Sequence, residues 1–313
     1  MPPQDSLYLI NHAGDTIHIS FRDTLKQATT DSLVQQLQAS NDTSDWSGAY
    51  FMVILSAVFL LPMWWGYYKN KTRSRKVKRV YDTKQVTYNN ILHHFMPYYR
   101  NLSTANKERF MRRTLTFKED KRFRFVELEE EEHMSLLISA TAVQLTFGLD
   151  NYLMDHFRVI YVMRSTYRYG LYNIPFEGHV NETGIYLSWQ NFVNAWADST
   201  DGDNVGLHEM AHALTYVNFT ANNGSDDGFK QRFRRFSRTG RAIFGRMQQG
   251  ETFFLGNYAS TNYEEFWAVC VENFFERPQL FKDQLPELYD AMCILLNQNM
   301  LTPQVLLEPV EGD

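Results

Sequence analysis

Cysteine is scarce in this chain, which contains only Cys270 and Cys293 among its 313 residues. Two thiols exclude a disulfide framework and a cysteine-rich zinc knuckle, and they favour a reducing compartment. The chain also lacks internal repeats, low-complexity segments and a regular alternation of strand and helix patterns. These absences argue against solenoids and doubly wound sheets, and they leave His and carboxylate side chains to build any metal site.

Charge is missing from one stretch of the chain and is of one sign in the next. Residues 49–68 contain no charged side chain, whereas residues 69–79 contain seven basic residues and no acidic one. The segments 1–48, 69–79 and 80–313 carry net charges of −4, +7 and −8. A domain with a net charge of −8 is a poor nucleic-acid binder, so we expect no nucleic-acid partner.

The uncharged stretch 49–68 has twenty residues, the length that an α-helix needs to cross a bilayer. Aromatic residues flank it, including Trp46 before the stretch and Trp64 near its end, as is typical of membrane interfaces. A buried core helix is the alternative. A cleavable signal peptide does not fit, because 48 residues precede the stretch and no small-residue cleavage site follows.

The basic run 69–79 predicts the orientation of this transmembrane helix. Positive charges favour the cytoplasmic side, so we expect the N-terminus outside the cell and the C-terminal domain inside. The run is also suited to anionic lipid head groups. The predicted order is an exterior polar tail (1–48), a helix in the cytoplasmic membrane (49–68), a basic juxtamembrane linker (69–83) and a globular domain (84–313).

The globular domain has mostly helical patterning with two strand patterns, 158–163 and 184–189, which predicts an α+β fold. In the tail, an alternating stretch occurs at 15–20 and a helix pattern at 23–37. The helices predicted for the domain are 84–98, 104–117, 132–148, 190–198, 205–218, 226–248, 262–276 and 284–298.

The motif His-Glu-x-x-His occurs at His208, Glu209 and His212. Histidines four residues apart lie on one face of a helix and can bind one Zn²⁺, while the Glu beside them takes a proton from water. Asp203 or Asn204 is suited to cap the start of this helix. Because three fixed positions also match by chance, a second group of ligands is needed to support a metal site.

A downstream helix supplies the carboxylate that a catalytic zinc needs as its third protein ligand. Thr261 followed by Glu264 reads as a capping box, in which the Glu264 side chain is occupied at the helix start. Glu265, one position further on, points elsewhere around the helix and is the predicted ligand. Glu272 lies two turns beyond Glu265 and is predicted to accept the N–H of a ligand histidine, although a surface glutamate would look the same.

Three stretches, 184–189, 201–212 and 258–275, together resemble the MtfA (Mlc titration factor A) family of bacterial zinc peptidases over roughly residues 84–300. The resemblance implies a zincin-like (gluzincin) metallopeptidase domain related to the anthrax lethal factor catalytic domain. It also implies that Glu265 is the third zinc ligand and that Tyr258 assists catalysis, where a phenol can donate to the oxyanion.

This chain departs from the family pattern in two ways. Family members usually have Asp where this chain has Thr215, so a carboxylate that supports the site is missing here. Family members are typically soluble, whereas this chain carries a predicted transmembrane helix and an exterior tail.

The leading hypothesis is a membrane-anchored zinc metallopeptidase acting on a peptide or protein substrate. Zn²⁺ is held by His208, His212 and Glu265, and Glu209 activates the zinc-bound water. The strand 184–189 is expected to pair with an extended substrate backbone.

The alternative is a non-catalytic or weakly catalytic zinc-containing domain that binds and sequesters a regulatory protein partner. Thr215 and the membrane tether favour this alternative. Glu209 argues against it, because a structural zinc site has no use for a general base.

Overall fold

The computed structural model describes residues 6–10, 16–20, 46–170, 175–221 and 224–302. The chain divides into two compact units, residues 1–67 and residues 68–313. In the first unit, strand β1 (Ser6–Ile10) pairs antiparallel with strand β2 (Thr16–Ser20). The alternating pattern at 15–20 is therefore a strand, whereas the predicted helix at 23–37 lies outside the described residues.

Helix α1 (Trp46–Phe95) contains the apolar stretch and continues through the basic run. Within the described residues, its part Tyr50–Phe95 is the one helix that is long and apolar enough to cross a membrane. Residues 69–83, predicted as a linker, are helical. Lys and Arg favour helices, and neither Gly nor Pro interrupts residues 67–95.

The later predicted helices of the second unit are present, and the sequence pattern misses one short helix. The predicted helix 284–298 is found at Pro286–Leu296, and the helix that the pattern misses, Pro278–Gln284, precedes it. The two helices meet at Leu285, because Pro286 lacks the N–H that would continue the first one. The helices are α2 (Pro97–Arg100), α3 (Thr104–Asp120), α4 (Glu132–Thr146), α5 (Trp189–Asn194), α6 (Val205–Phe219), α7 (Asp227–Gln248), α8 (Tyr263–Glu276), α9 (Pro278–Gln284) and α10 (Pro286–Leu296), with a 3₁₀ helix at Asn257–Ser260.

Basic side chains of α1 tie its second half to α3. Arg73 forms an ion pair with Asp120 at 2.8 Å, and Lys76 forms one with Glu119 at 2.6 Å. Apolar side chains four or seven residues apart form a buried stripe on the same helix, namely Val77, Tyr81, Tyr88 and Leu92. Part of the basic run therefore has a structural role within the second unit.

A small mixed sheet completes the mostly helical α+β fold. Its strands are β3 (Arg122–Val126), β4 (Val159–Met163), β5 (Gly178–Asn181) and β6 (Gly184–Ser188), in the order β3-β4-β6-β5. The β3, β4 and β6 strands run parallel, and β5 pairs antiparallel with β6. The sequence pattern predicts β4 and β6 but not β3 or β5.

The sheet order corrects the expected role of the strand at 184–189. Strand β6 is hydrogen-bonded on both sides, to β4 and to β5, so its backbone has no free edge for a substrate. The edge strands of the sheet are β3 and β5. A substrate that extends the sheet on the side of β6 would therefore pair with β5.

Helices α6 and α8 pack side by side in the core. The indole Nε1 of Trp267, on α8, donates to the backbone oxygen of Ala211, on α6, at 3.0 Å. Trp267, Ala211 and Met210 are at most 1% exposed, so this contact is fully buried. The packing fixes the two helices that carry the predicted metal ligands.

Candidate metal centre and active site

The start of α6 is set by Asn204, one of the two predicted caps. Its side-chain oxygen accepts the backbone N–H of Leu207 at 2.9 Å. Gly206 lies in the first turn, where an added Cβ would sit 2.6 Å from Cε2 of Phe192. This turn therefore packs closely on α5, and His208 and His212 follow on one helical face.

The start of α8 differs from the predicted capping box. Asn262 is the cap, and its side-chain oxygen accepts the backbone N–H groups of Glu264 and Glu265, both at 2.9 Å. Thr261 has helical backbone angles, φ −64° and ψ −51°, which do not suit a residue that caps a helix start. Glu264 is exposed, while Glu265 turns toward α6.

Three predicted ligands converge between the two helices. His208 Nε2 lies 2.9 Å from Glu265 Oε2 and 3.0 Å from His212 Nε2, and His212 Nε2 lies 3.4 Å from Glu265 Oε2. Among the described residues, these three side chains form the group that could hold a metal ion. Zinc ligands at tetrahedral angles and usual bond lengths stand about 3.3 Å apart. The donor set therefore fits such an ion.

Glu209 lies beside this cluster and is only 5% exposed. Its Oε2 is buried and has no hydrogen-bond partner among the described residues. Burial raises the pKa of Glu209 to about 7, although the neighbouring histidines oppose the rise. A carboxyl group with this pKa is suited to exchange a proton near neutral pH.

Glu272 contacts the Nδ1 side of the His208 ring, away from the cluster. Its Oε1 lies 2.5 Å from His208 Nδ1, and its Oε2 accepts the backbone N–H of Asn204 at 3.3 Å. Burial opposes a charge on His208, but hydrogen bonds with Glu265 and Glu272 outweigh it and raise the pKa of His208 to about 10. This arrangement leaves His208 Nε2 directed at the ligand cluster.

Glu276, one turn beyond Glu272, is a site residue that sequence reasoning misses. It accepts the backbone N–H of Gly202 at 3.1 Å and the side-chain amide of Asn204 at 2.8 Å. Burial, followed by the charges of Asp201 and Glu272, raises the pKa of Glu276 to about 8. Its four-residue spacing from Glu272 is the signal that could have found it.

Tyr258 lies at the rim of the site. Its ring centroid is 5.8 Å from that of His208, and the residue remains 58% exposed. Partial burial and the charge of Glu265 raise the pKa of its hydroxyl, so Tyr258 keeps its proton at neutral pH. The phenol can therefore donate a hydrogen bond toward the site.

A cavity of about 820 Å³ opens in front of the ligand cluster. Its walls are the metal-ligand face of α6, the edge strand β5, one face of α7 and the start of α8. Thr215 lies in the wall, where its hydroxyl donates to the backbone oxygens of Ala211 and His212 at 3.2 and 3.0 Å. At this position the chain therefore has a neutral hydroxyl that is hydrogen-bonded to the backbone of its own helix.

The sequence pattern of a family described as glucose-regulated metallo-peptidase M90 matches residues 68–295. The chain belongs to this family. It is the MtfA family, so the family prediction is confirmed. The M90 chain is also similar to a Synechocystis sp. protein named "Uncharacterized protein slr2042", with 25% identity over 219 residues, which cover 63% of this chain and 78% of that protein. Family membership indicates a metallopeptidase-type function.

Edge strand β5 approaches the M90 site closely at Gly178. A Cβ added there would lie 2.5 Å from Cγ and 2.6 Å from Oε1 of Glu209. We expect Gly178→Ala to displace the strand or the carboxylate and to lower kcat on a peptide substrate by about a hundredfold, with the metal retained. Gly245→Ala is the matched control, because a Cβ there meets no atom within 4 Å. Equal kcat values in the two variants would show that the close contact has no role.

Proposed function

We propose that this chain is a membrane-anchored zinc metallopeptidase with a zincin-like catalytic domain, related in fold to the anthrax lethal factor domain. The single observation that carries the proposal is the position of Glu209. A buried carboxylate whose Oε2 has no described partner lies beside three converging ligands, at the wall of a cavity. A purely structural metal site needs no such group.

Five residues at the cavity would take part in peptide hydrolysis. His208, His212 and Glu265 would hold Zn²⁺, which when bound acts as a Lewis acid toward water and a carbonyl oxygen. Glu209 takes a proton from the attacking water and returns it to the leaving amine. Tyr258 donates a hydrogen bond to the oxygen that becomes negative.

Glu272 and β5 provide positioning. Glu272 accepts the N–H of His208 Nδ1 and so fixes the ring orientation of that ligand. Within the described residues, β5 is an edge strand that lines the cavity, and Gly178 lets a backbone pass close to Glu209. An extended peptide paired with β5 would bring a scissile bond to the site.

Cleavage of a mixed peptide library tests this proposal. The full-length protein, purified in detergent and supplied with Zn²⁺, should generate new peptide termini that mass spectrometry detects. A protein that binds zinc but leaves the whole library intact would instead support the alternative, a zinc-containing domain that sequesters a regulatory partner. Thr215 favours that alternative, because it replaces the carboxylate that family members usually have at this position.

We also propose that α1 anchors the chain in the cytoplasmic membrane with the catalytic domain inside the cell. The apolar side chains around Tyr50–Tyr68 are mostly exposed, which suits contact with lipid, and the basic residues follow them.

This orientation predicts the behaviour of a fused reporter. Alkaline phosphatase, which needs an oxidising exterior, should be inactive when fused after Asp313 and active when fused before residue 46. The preference for one orientation in the membrane should weaken when Arg73, Arg75 and Lys78 are changed to neutral residues. Phosphatase activity confined to the C-terminal fusion would show that the orientation is the opposite of the proposed one.

A further inference from the structure

Helix α7 concentrates positive charge in a domain that is negative overall. It carries seven basic residues and one acidic residue, Asp227, whereas residues 80–313 have a net charge of −8. One face of α7 is buried in the core through Phe229, Phe236, Gly240, Ile243 and Met247. The basic side chains occupy the remaining surface of the helix.

Three of these basic side chains have structural partners. Lys230 pairs with Asp227 at 3.5 Å, and Arg232 donates to the backbone oxygen of Leu295 at 3.3 Å. Arg246 pairs with Glu251, whose Oε2 is 2.6 Å from Arg246 Nε. The presence of Lys230, Arg232 and Arg246 is therefore explained by their contacts within the domain.

Arg234, Arg238 and Arg241 differ, because they line the cavity that contains the metal ligands. Their spacing of four and three residues places them on one face of α7. None of the three forms an ion pair with a carboxylate in the described part of the chain. Arg241 is held over the ring of Tyr263, with 4.7 Å from its guanidinium carbon to the ring centroid.

The cavity offers these arginines little negative charge. Of the carboxylates in its wall, Glu209 and Glu265 belong to the metal site, and only the exposed Glu264 remains. A concave surface with several charges of one sign concentrates ligands of the opposite sign. Guanidinium groups also bind carboxylates through two parallel hydrogen bonds, which gives geometric selectivity.

We infer that Arg234, Arg238 and Arg241 select peptides that present a carboxylate on the α7 side of the bond to be cut. The inference rests on the proposed peptidase function and names its substrate class. The carboxylate belongs either to an Asp or Glu side chain or to the free C-terminus of the peptide. Both sources place the same chemical group against the arginines.

Binding to a full-length protein that carries Glu209→Gln tests the inference without cleavage. Fluorescent peptides, amidated at the C-terminus and with Glu or Gln placed at each position in turn, are titrated in detergent with Zn²⁺. We expect the Glu peptide to bind about tenfold more tightly than the Gln peptide at one or two neighbouring positions. Fluorescence anisotropy gives the two dissociation constants.

Variants assign this preference to the cavity arginines. The ratio of the Gln-peptide to the Glu-peptide dissociation constant should fall to about one when Arg234, Arg238 and Arg241 are all changed to Gln. Arg238→Lys should keep part of the preference for Glu. Arg235→Gln is the matched control, because Arg235 is exposed on the same helix but does not line the cavity. The control should retain the full ratio.

The outcomes separate the two carboxylate sources and the two hypotheses. Tighter binding of peptides with a free C-terminus than of the same peptides amidated, with no difference between Glu and Gln, supports the inference with the terminal carboxylate as the ligand. Equal binding of all Glu, Gln, free and amidated peptides, or no binding at all, overturns it, as does a preference that survives the triple change. Since cleavage is not measured, binding without hydrolysis in the wild type would count against the peptidase alone.

Discussion

Glu209→Gln should abolish peptide hydrolysis while leaving the metal site intact. An amide has the shape of the carboxylate but cannot accept a proton from water, so we expect kcat to fall by about a thousandfold or more. Metal content should stay at the wild-type level, because Glu209 is not one of the three converging ligands. The measurements are kcat on one cleaved peptide and zinc per chain in the same samples.

The pKa of Glu209 adds a control on folding for this variant. In metal-free protein the pKa is about 7, against a usual value of 4.5. The folded state therefore binds the proton more tightly than the unfolded state, and its stability falls as pH rises from 4.5 to 7. Gln lacks this dependence, so metal-free Glu209→Gln should match the wild type below pH 4.5 and be more stable than it above pH 7. Wild-type hydrolysis by a folded, metal-loaded Glu209→Gln protein would refute the proposed mechanism.

Loss of any one ligand should remove most of the bound metal. We expect His208→Ala, His212→Ala and Glu265→Ala each to weaken zinc binding by more than the roughly 10–100-fold that follows loss of an outer hydrogen-bond partner. Glu272→Gln should fall within that smaller range, since Glu272 contacts His208 but is not in the ligand cluster. Competition with a chromophoric chelator gives the affinities.

Glu264→Ala is the matched control for Glu265→Ala. The two carboxylates are neighbours on α8, but Glu264 is exposed and Glu265 meets both histidines. Glu264→Ala should therefore bind zinc as the wild type does. If Glu264→Ala lost zinc while Glu265→Ala kept it, the assignment of the third ligand would be reversed.

Glu265 contacts both histidines, whereas Glu264 is not part of the capping box that the sequence pattern predicts. Thr261 with Glu264 matches a capping box, in which the Glu side chain would return to the backbone of the cap residue. Instead, the Asn262 side chain accepts the backbone N–H groups of Glu264 and Glu265, and this cap does not need the Glu264 side chain. Both arrangements start α8 in nearly the same register. Because helical register decides which side chain faces α6, the error in the cap leaves the position of Glu265 unchanged.

The site wall is less predictable, because it depends on pairing between distant segments. Strand β5 has four residues and begins with Gly178, so it has no clear alternating pattern. The role of Gly178 appears only once β5 meets Glu209, thirty-one positions later. In the same way, Arg234, Arg238 and Arg241 resemble an ordinary solvated helix face until the cavity is known.

The central claim is that this chain hydrolyses peptides with a metal held by His208, His212 and Glu265. The most direct test removes the metal from full-length wild-type protein with a chelator, confirms its loss, and measures cleavage of a peptide library before and after one equivalent of Zn²⁺ is returned. We predict that cleavage disappears on removal and that the same bonds are cut again after zinc is restored. Undiminished cleavage of those bonds by protein shown to be metal-free would contradict the account.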